Sequence, residues 1–165
     1  MDFVKTGYYD RINKWCSESD TGSIVQKAVE CHQYLRTNGY TYAQAGVNIP
    51  ITGNGRKTID CSSFVSWLLY EAGHEEMKGY QQTSYTFLAN KWGWQEVSVN
   101  EAQPGDLLVY SAHVEIVAGD AGSKFLVYNC GGNASINAAG TPDLPESSTS
   151  GYMKSQVLKV LRPSQ

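Results

Sequence analysis

Two residues of this 165-residue chain stand where covalent chemistry is within reach. Cys61 follows Asp60 directly and opens the apolar run Phe64, Val65, Leu68, Leu69 and Ala72. His113 opens a second run, His113-Val114-Glu115-Ile116-Val117, straight after the short connection Ser111-Ala112. Cysteine attacks as thiolate, and a free thiol titrates near 8.5, so a nucleophilic cysteine needs a positive neighbour. The first turn of a helix supplies roughly half a positive charge from its unpaired amides. Those amides can also bind the oxyanion of a tetrahedral intermediate. A histidine brought alongside then serves as the base. The plainer readings are a small core residue for Cys61 and a hydrogen-bonded edge residue for His113.

The other candidates are weaker. His32 sits on an amphipathic helix and His74 in a Gly-His-Glu-Glu turn, and both read as ordinary surface or boundary residues. Cys16, Cys31, Cys61 and Cys130 have no CxxC spacing, and with three scattered histidines they do not make a zinc site. Neither a metal nor any other cofactor is called for. The simplest use of the four cysteines is one working thiol in a reduced chain, with pairing among Cys16, Cys31 and Cys130 left open.

The pair needs a helix and a strand to carry it. A helix is expected from 58–60 to about 72, stopped at Gly73, with Cys61 in line with Val65, Leu68 and Ala72. Before it, Ser23 and Gln26 suggest a capping box for a helix with apolar Ile24, Ala28, Cys31 and Leu35, closed by Asn38-Gly39. A third, shorter helix is expected after Thr83, ending at Gly93. The period then changes from 3.6 to 2, giving strands at 94–99, 106–110, 113–118, 124–129 and 156–161. Alternation puts His113, Glu115 and Val117 on one face. Helices followed by hairpin-linked strands predict a single α+β domain over 1–165, with a mainly antiparallel sheet of about five strands. Residues 1–22 read as an N-terminal extension and 138–155, rich in Ser, Pro, Gly and Thr, as a mobile loop or a groove rim.

Composition narrows the partners. The net charge is −3, with no basic run, which gives no support to nucleic acid or an anionic membrane. No stretch approaches the roughly 18 apolar residues of a membrane span. The N-terminal residues are polar and do not resemble a secretory signal. Eleven tyrosines and four tryptophans suit a groove that is apolar yet wet, or simply a half-buried surface. A monomer is expected.

Asp60-Cys61-Ser62-Ser63-Phe64-Val65 resembles the D-C-S-(G/S)-F-V signature of the NlpC family of papain-like cell-wall peptidases. Pro104-Gly105-Asp106-Leu107-Leu108 is similar to its P-G-D-L-(V/L) motif, and His113-Val114-Glu115-Ile116-Val117 to its H-V-(G/E)-I-(Y/V) strand. Thr83-Ser84 is similar to the threonine–serine pair that follows the nucleophile helix. The resemblance covers residues 24 to 161.

It implies N-terminal helices packed on the sheet and a groove between them. It also implies Cys61 as nucleophile and His113 as general base, then acid. The family's third polar residue starts the next strand and orients the imidazole. Asn129 in Tyr128-Asn129-Cys130-Gly131-Gly132 matches it, with Asn133 and Asn137 as fallbacks; a turn asparagine is the other reading. In Tyr40-Thr41-Tyr42-Ala43-Gln44-Ala45-Gly46, similar to the family's Y-x-x-G-G stretch, Tyr42 matches a tyrosine near the thiolate, although Ala45 replaces a glycine. Asp60 and Ser62 match the pair that holds the substrate's free amine, while Asp60 reads equally well as a helix cap. Glu115 stands where many relatives have glycine and either narrows the groove or is a solvated sheet-edge charge.

The implied reaction is hydrolysis of stem-peptide amide bonds in bacterial peptidoglycan, between D-γ-glutamate and the diamino acid, through a thioester. Rival readings are a CHAP-like N-acetylmuramoyl-L-alanine amidase and a non-catalytic wall-binding or effector module. The place of action is the cell wall, reached as a phage endolysin or tail protein, as part of a secreted enzyme, or as a secreted effector.

Overall fold

The computed structural model describes residues 22–44, 57–130 and 147–164. Expectations for residues 1–21 of the N-terminal extension, Cys16, Asn133 and Asn137 lie outside these residues, as does the 138–146 half of the 138–155 loop.

The first helix, α1 (Gly22–Thr37), already includes Ser23, and the Gln26 amide reaches forward to Glu30 Oε1 (3.3 Å). The expected capping box is therefore replaced by a contact within the helix. Its apolar face is wider than one stripe. Ile24, Val25, Ala28, Val29, Cys31, His32 and Leu35 are all buried, because α1 packs on the next helix and also on the sheet. His32, read as a boundary residue, is fully buried with its ring edge-on to Phe64 and Tyr128.

The chain turns at Gly39, whose φ of +72° favours glycine. It then forms a short parallel pair that periodicity had not suggested, β1 (Thr41–Tyr42) with β2 (Thr58–Ile59). Tyr42 lies opposite Ile59, two residues before Cys61. The helix α2 (Cys61–Glu71) begins at the nucleophile candidate. Extended backbone at Asp60, and its carboxylate accepting from Ser63 N at 2.9 Å, fix that start. Gly73 stops the helix with φ +105°.

Helix α3 (Ser84–Ala89) is opened by a reciprocal Thr83–Thr86 capping box. It ends short of Gly93 because Asn90 turns left-handed and clamps Trp94 N (3.1 Å) and Trp94 O (2.8 Å) with its side chain.

Six antiparallel strands follow: β3 (Gln95–Val97), β4 (Leu107–Val109), β5 (Val114–Ala121), β6 (Lys124–Tyr128), β7 (Ser148–Thr149) and β8 (Lys159–Arg162). Their order across the sheet is β3-β8-β4-β5-β6-β7. The sixth strand, β7, falls in the expected loop, where two residues pair with the outer edge of β6. Asp106 of the Pro-Gly-Asp-Leu motif is fully buried and held by Arg162 through both carboxylate oxygens (2.9 and 2.8 Å), which ties β4 to β8.

The sheet is buried on both faces. Leu107, Val109, Val114, Ile116, Ala118 and Tyr128 pack against Val65, Leu68, Phe64 and α1. Leu108, Tyr110, Val117, Phe125, Val127 and Val160 form a second cluster on the opposite face, covered by Val97, Val99, Ala102, Tyr152 and Val157. At about 1.5–3 kcal/mol for each large side chain removed from water, both clusters fix the position of the strands between them. The domain is α+β, with helices on one side of a mainly antiparallel sheet.

Candidate active site

The site forms where α2 starts and the β4–β5 hairpin ends. The hairpin closes with Val109 opposite Val114 and with Tyr110 N donating to His113 O at 2.8 Å. A connection of only Ser111 and Ala112 leaves His113 little freedom. Its side chain is bonded to Glu115, and Cys61 stands near enough to raise its basicity. The thiol expected at a helix mouth is the first residue of α2, and the imidazole expected opposite it is the residue just before β5.

Glu115 lies two residues from His113 on the same face of β5, and its Oε1 is 2.8 Å from His113 Nε2. That leaves Nδ1 as the ring nitrogen for the thiol. Glu115 is 0 % exposed, where the sequence reading offered a solvated edge charge or a groove-narrowing side chain. The reason for the difference is long-range. Its carboxylate accepts from Asn129 Nδ2 (3.2 Å) on Oε1, and from Tyr110 OH (2.9 Å) and Ser150 Oγ (2.6 Å) on Oε2. Three other chain segments supply those donors.

Asn129 is thus brought to the site, with its amide nitrogen directed to Glu115. The carboxylate holds the place at the imidazole where the sequence pointed to the asparagine. Tyr152 stacks on His113 (centroids 5.3 Å, planes 21° apart) and on Tyr110 (4.4 Å, 24°). Ser150 Oγ also accepts from Tyr152 N at 3.1 Å, so one hydroxyl links the carboxylate to the stacked ring. Tyr110, Ser150 and Tyr152 were not singled out from sequence. The groove-rim reading of 138–155 pointed toward Ser150 and Tyr152, and no signal pointed toward Tyr110.

The electrostatics follow from this packing. Burial by itself would lower the basicity of His113. Hydrogen bonds to Cys61 and Glu115, and the charges of both, outweigh burial and push the imidazole up to about 9. Burial acts against ionised Glu115 as well, but the hydrogen bond and charge of His113, with Ser150 and Asn129, hold the carboxyl below its ordinary range.

Tyr42 is half-buried. Burial, followed by the charges of Cys61 and Asp60, raises its hydroxyl, which places the ring within the field of the nucleophile. Asp60 acts as the cap of α2, and Ser62 Oγ lies 3.4 Å from the same carboxylate oxygen. Cys130 is buried, donates to Ile59 O (3.4 Å), and has its thiol pushed up by burial and then by Cys61. Cys31, Cys61 and Cys130 are all free thiols, and Cys61 is the one of the three that solvent reaches. His74 pairs with Glu76 at 3.2 Å and lies against Trp94, in a separate turn of the chain.

Among the described residues no group of three or more His, Cys, Asp or Glu could hold a metal ion. No helix among them is long and apolar enough to cross a membrane. A family model described as the NlpC/P60 family matches residues 39–162. Nothing matches among the curated proteins or among the solved structures.

Proposed function

The chain belongs to the NlpC/P60 family, whose members are in general cysteine peptidases acting on peptidoglycan, and from this premise we propose that Cys61 and His113 are its reacting pair. What supports the proposal is that Cys61 is the first residue of α2 and stands near enough to His113 to raise the basicity of its imidazole.

In the proposed reaction His113 takes the thiol proton and Cys61 sulfur attacks the scissile carbonyl carbon. The negative oxygen that develops is received by backbone N–H groups at the start of α2. Those of Cys61 and Ser62 suit this role, since Ser63 N serves the Asp60 carboxylate and Phe64 N serves Asp60 O. The tetrahedral intermediate collapses as the C–N bond breaks, and His113 returns its proton to the leaving amine. Water, deprotonated by the same imidazole, then hydrolyses the thioester and frees the sulfur.

The substrate proposed is a stem peptide of bacterial peptidoglycan, cut between D-γ-glutamate and the diamino acid. Asp60, beside Ser62, is the acidic group placed to receive a free amine near the nucleophile, and Tyr42 lines the same side.

The test is digestion of purified wall, with the fragments read by mass spectrometry. Wild type is expected to release peptides bearing a new amino terminus on the diamino acid. Cys61→Ala is expected to release none while keeping its circular dichroism spectrum. New termini on alanine would replace the endopeptidase reading with an amidase. Undiminished release by Cys61→Ala would remove the nucleophile assignment altogether.

A further inference from the structure

Many relatives carry glycine where this chain has Glu115, and in the family an amide or imidazole from the next strand orients the histidine. We propose that Glu115 is the positioning residue of this enzyme: its buried carboxylate holds Nε2 of His113, and Asn129, Tyr110 and Ser150 together hold the carboxylate. The proposal rests on the Cys61–His113 pair being the reacting pair.

An ionised carboxylate with no solvent contact is costly unless it is paired and hydrogen-bonded. A carboxylate offers about four lone-pair sites. Glu115 has four partners: His113 Nε2 and Asn129 Nδ2 on one oxygen, Tyr110 OH and Ser150 Oγ on the other. They come from the residue before β5, the residue after β6, the residue after β4 and the residue after β7. A device that only stitched strands together could do so with neutral groups. This one keeps a full negative charge 2.8 Å from the imidazole.

The charge has two consequences for the ring. With the proton kept on Nε2, the unprotonated nitrogen of neutral His113 is Nδ1, the one available to the thiol. When His113 takes the thiol proton, the carboxylate stabilises the resulting cation, and a charge-assisted bond does so roughly twice as strongly as the neutral amide it displaces. Asn129 Nδ2 then helps to fix the acceptor.

Other ionisable groups face this pair. Cys61 and Asp60 lie at the start of α2, Tyr42 on β1, Cys130 after β6, and Tyr110 and Tyr152 on the hairpin side. Burial raises Tyr42, Tyr110 and Cys130 above their usual ranges, which keeps them protonated across neutral pH.

Glu115→Gln isolates the charge. The replacement has the same shape, and the hydroxyls of Tyr110 and Ser150 can rotate to accept from its NH2 group. The assay is alkylation of Cys61 by iodoacetamide from pH 5 to 10, which needs no wall substrate, run beside kcat and KM on wall peptide. The wild type is expected to show a reactive plateau at neutral pH that His113→Gln abolishes. Its absence in wild type would overturn the reacting pair itself.

With that plateau present, Glu115→Gln is expected to move its upper limit down by at least about one pH unit. It should also lower kcat about tenfold with KM little changed, the difference between a charged and a neutral hydrogen bond. Glu115→Asp should recover part of both. A plateau and kcat in Glu115→Gln equal to wild type would overturn the role of Glu115 alone. Should Glu115→Gln not fold, proton NMR of the wild type carries the same test. A far-downfield, slowly exchanging Nε2 proton that is lost in His113→Gln supports the proposal, and its absence from the wild type overturns it.

Discussion

Raising pH through the alkaline range should unload the ion pair at the centre of this fold, and the cost can be worked out. His113 is pushed from its ordinary 6.5 up to about 9 by Cys61 and Glu115, against the opposing effect of burial. A folded-state value above the unfolded one means that folding binds the proton more tightly. The stabilisation is therefore fully present below pH 6.5 and is lost as pH rises through about 9. At roughly 1.4 kcal/mol per tenfold change in proton affinity, this interval is worth about 3 kcal/mol. The residue is only 8 % exposed, so solvent screening removes little of that amount. Urea unfolding of wild type and His113→Gln at pH 6, 8 and 10 would measure it, with the difference between the two curves cancelling the titrations of groups that do not interact with His113. That difference should fall by about 3 kcal/mol between pH 6 and 10. A difference that stays flat across the range would show that His113 has no charged partner in the folded protein and would refute the reasoning.

The acid side should show the opposite limb. Glu115, held below the ordinary carboxyl range, contributes stability above its unfolded value that is lost as pH falls through its folded one, and buried His32, pushed down to about 4 by burial and by Arg36, resists protonation from pH 6.5 downward. Melting temperature followed from pH 7 to 3 should therefore drop, and less steeply in His32→Leu. Asp60→Ala removes the cap of α2 and should cost about 1 kcal/mol, or about 3 °C of melting temperature, with most of it regained in Asp60→Ser. Arg162→Ala strands the fully buried Asp106 carboxylate and should cost about 3 kcal/mol in urea unfolding. In a Cys16→Ser background, native thiol titration should count one fast thiol, Cys61, with Cys31 and Cys130 reacting only on unfolding.

Much of this architecture was legible in the chain. Apolar spacing located α1 and α2, and alternation located five strands, because those elements bury long faces against neighbours of any kind. Cys61 and His113 were legible for a related reason: local signals, a cap residue and a two-residue hairpin, decide where each one sits. Glu115 was not legible. Its burial depends on Tyr110, Asn129 and Ser150, and nothing within reach along the strand reveals that these three converge. β1, β2 and β7 are two residues each, too short for any periodicity to register. His32 was misplaced because one apolar stripe suggested one covered side, whereas α1 is covered by both α2 and the sheet.

The sulfur and the imidazole belong to different cores. Cys61 is packed with the helices, whereas His113 stacks on Tyr110 and Tyr152, rings that belong to the cluster beyond the sheet. The thin wall of strands between the two clusters therefore acts as a shared mount, and loosening on one side of it would shift one member of the pair against the other. Gentle heating or dilute denaturant that softens only the far cluster would misalign the pair while the helical half stays intact, so catalysis should fail before the protein melts.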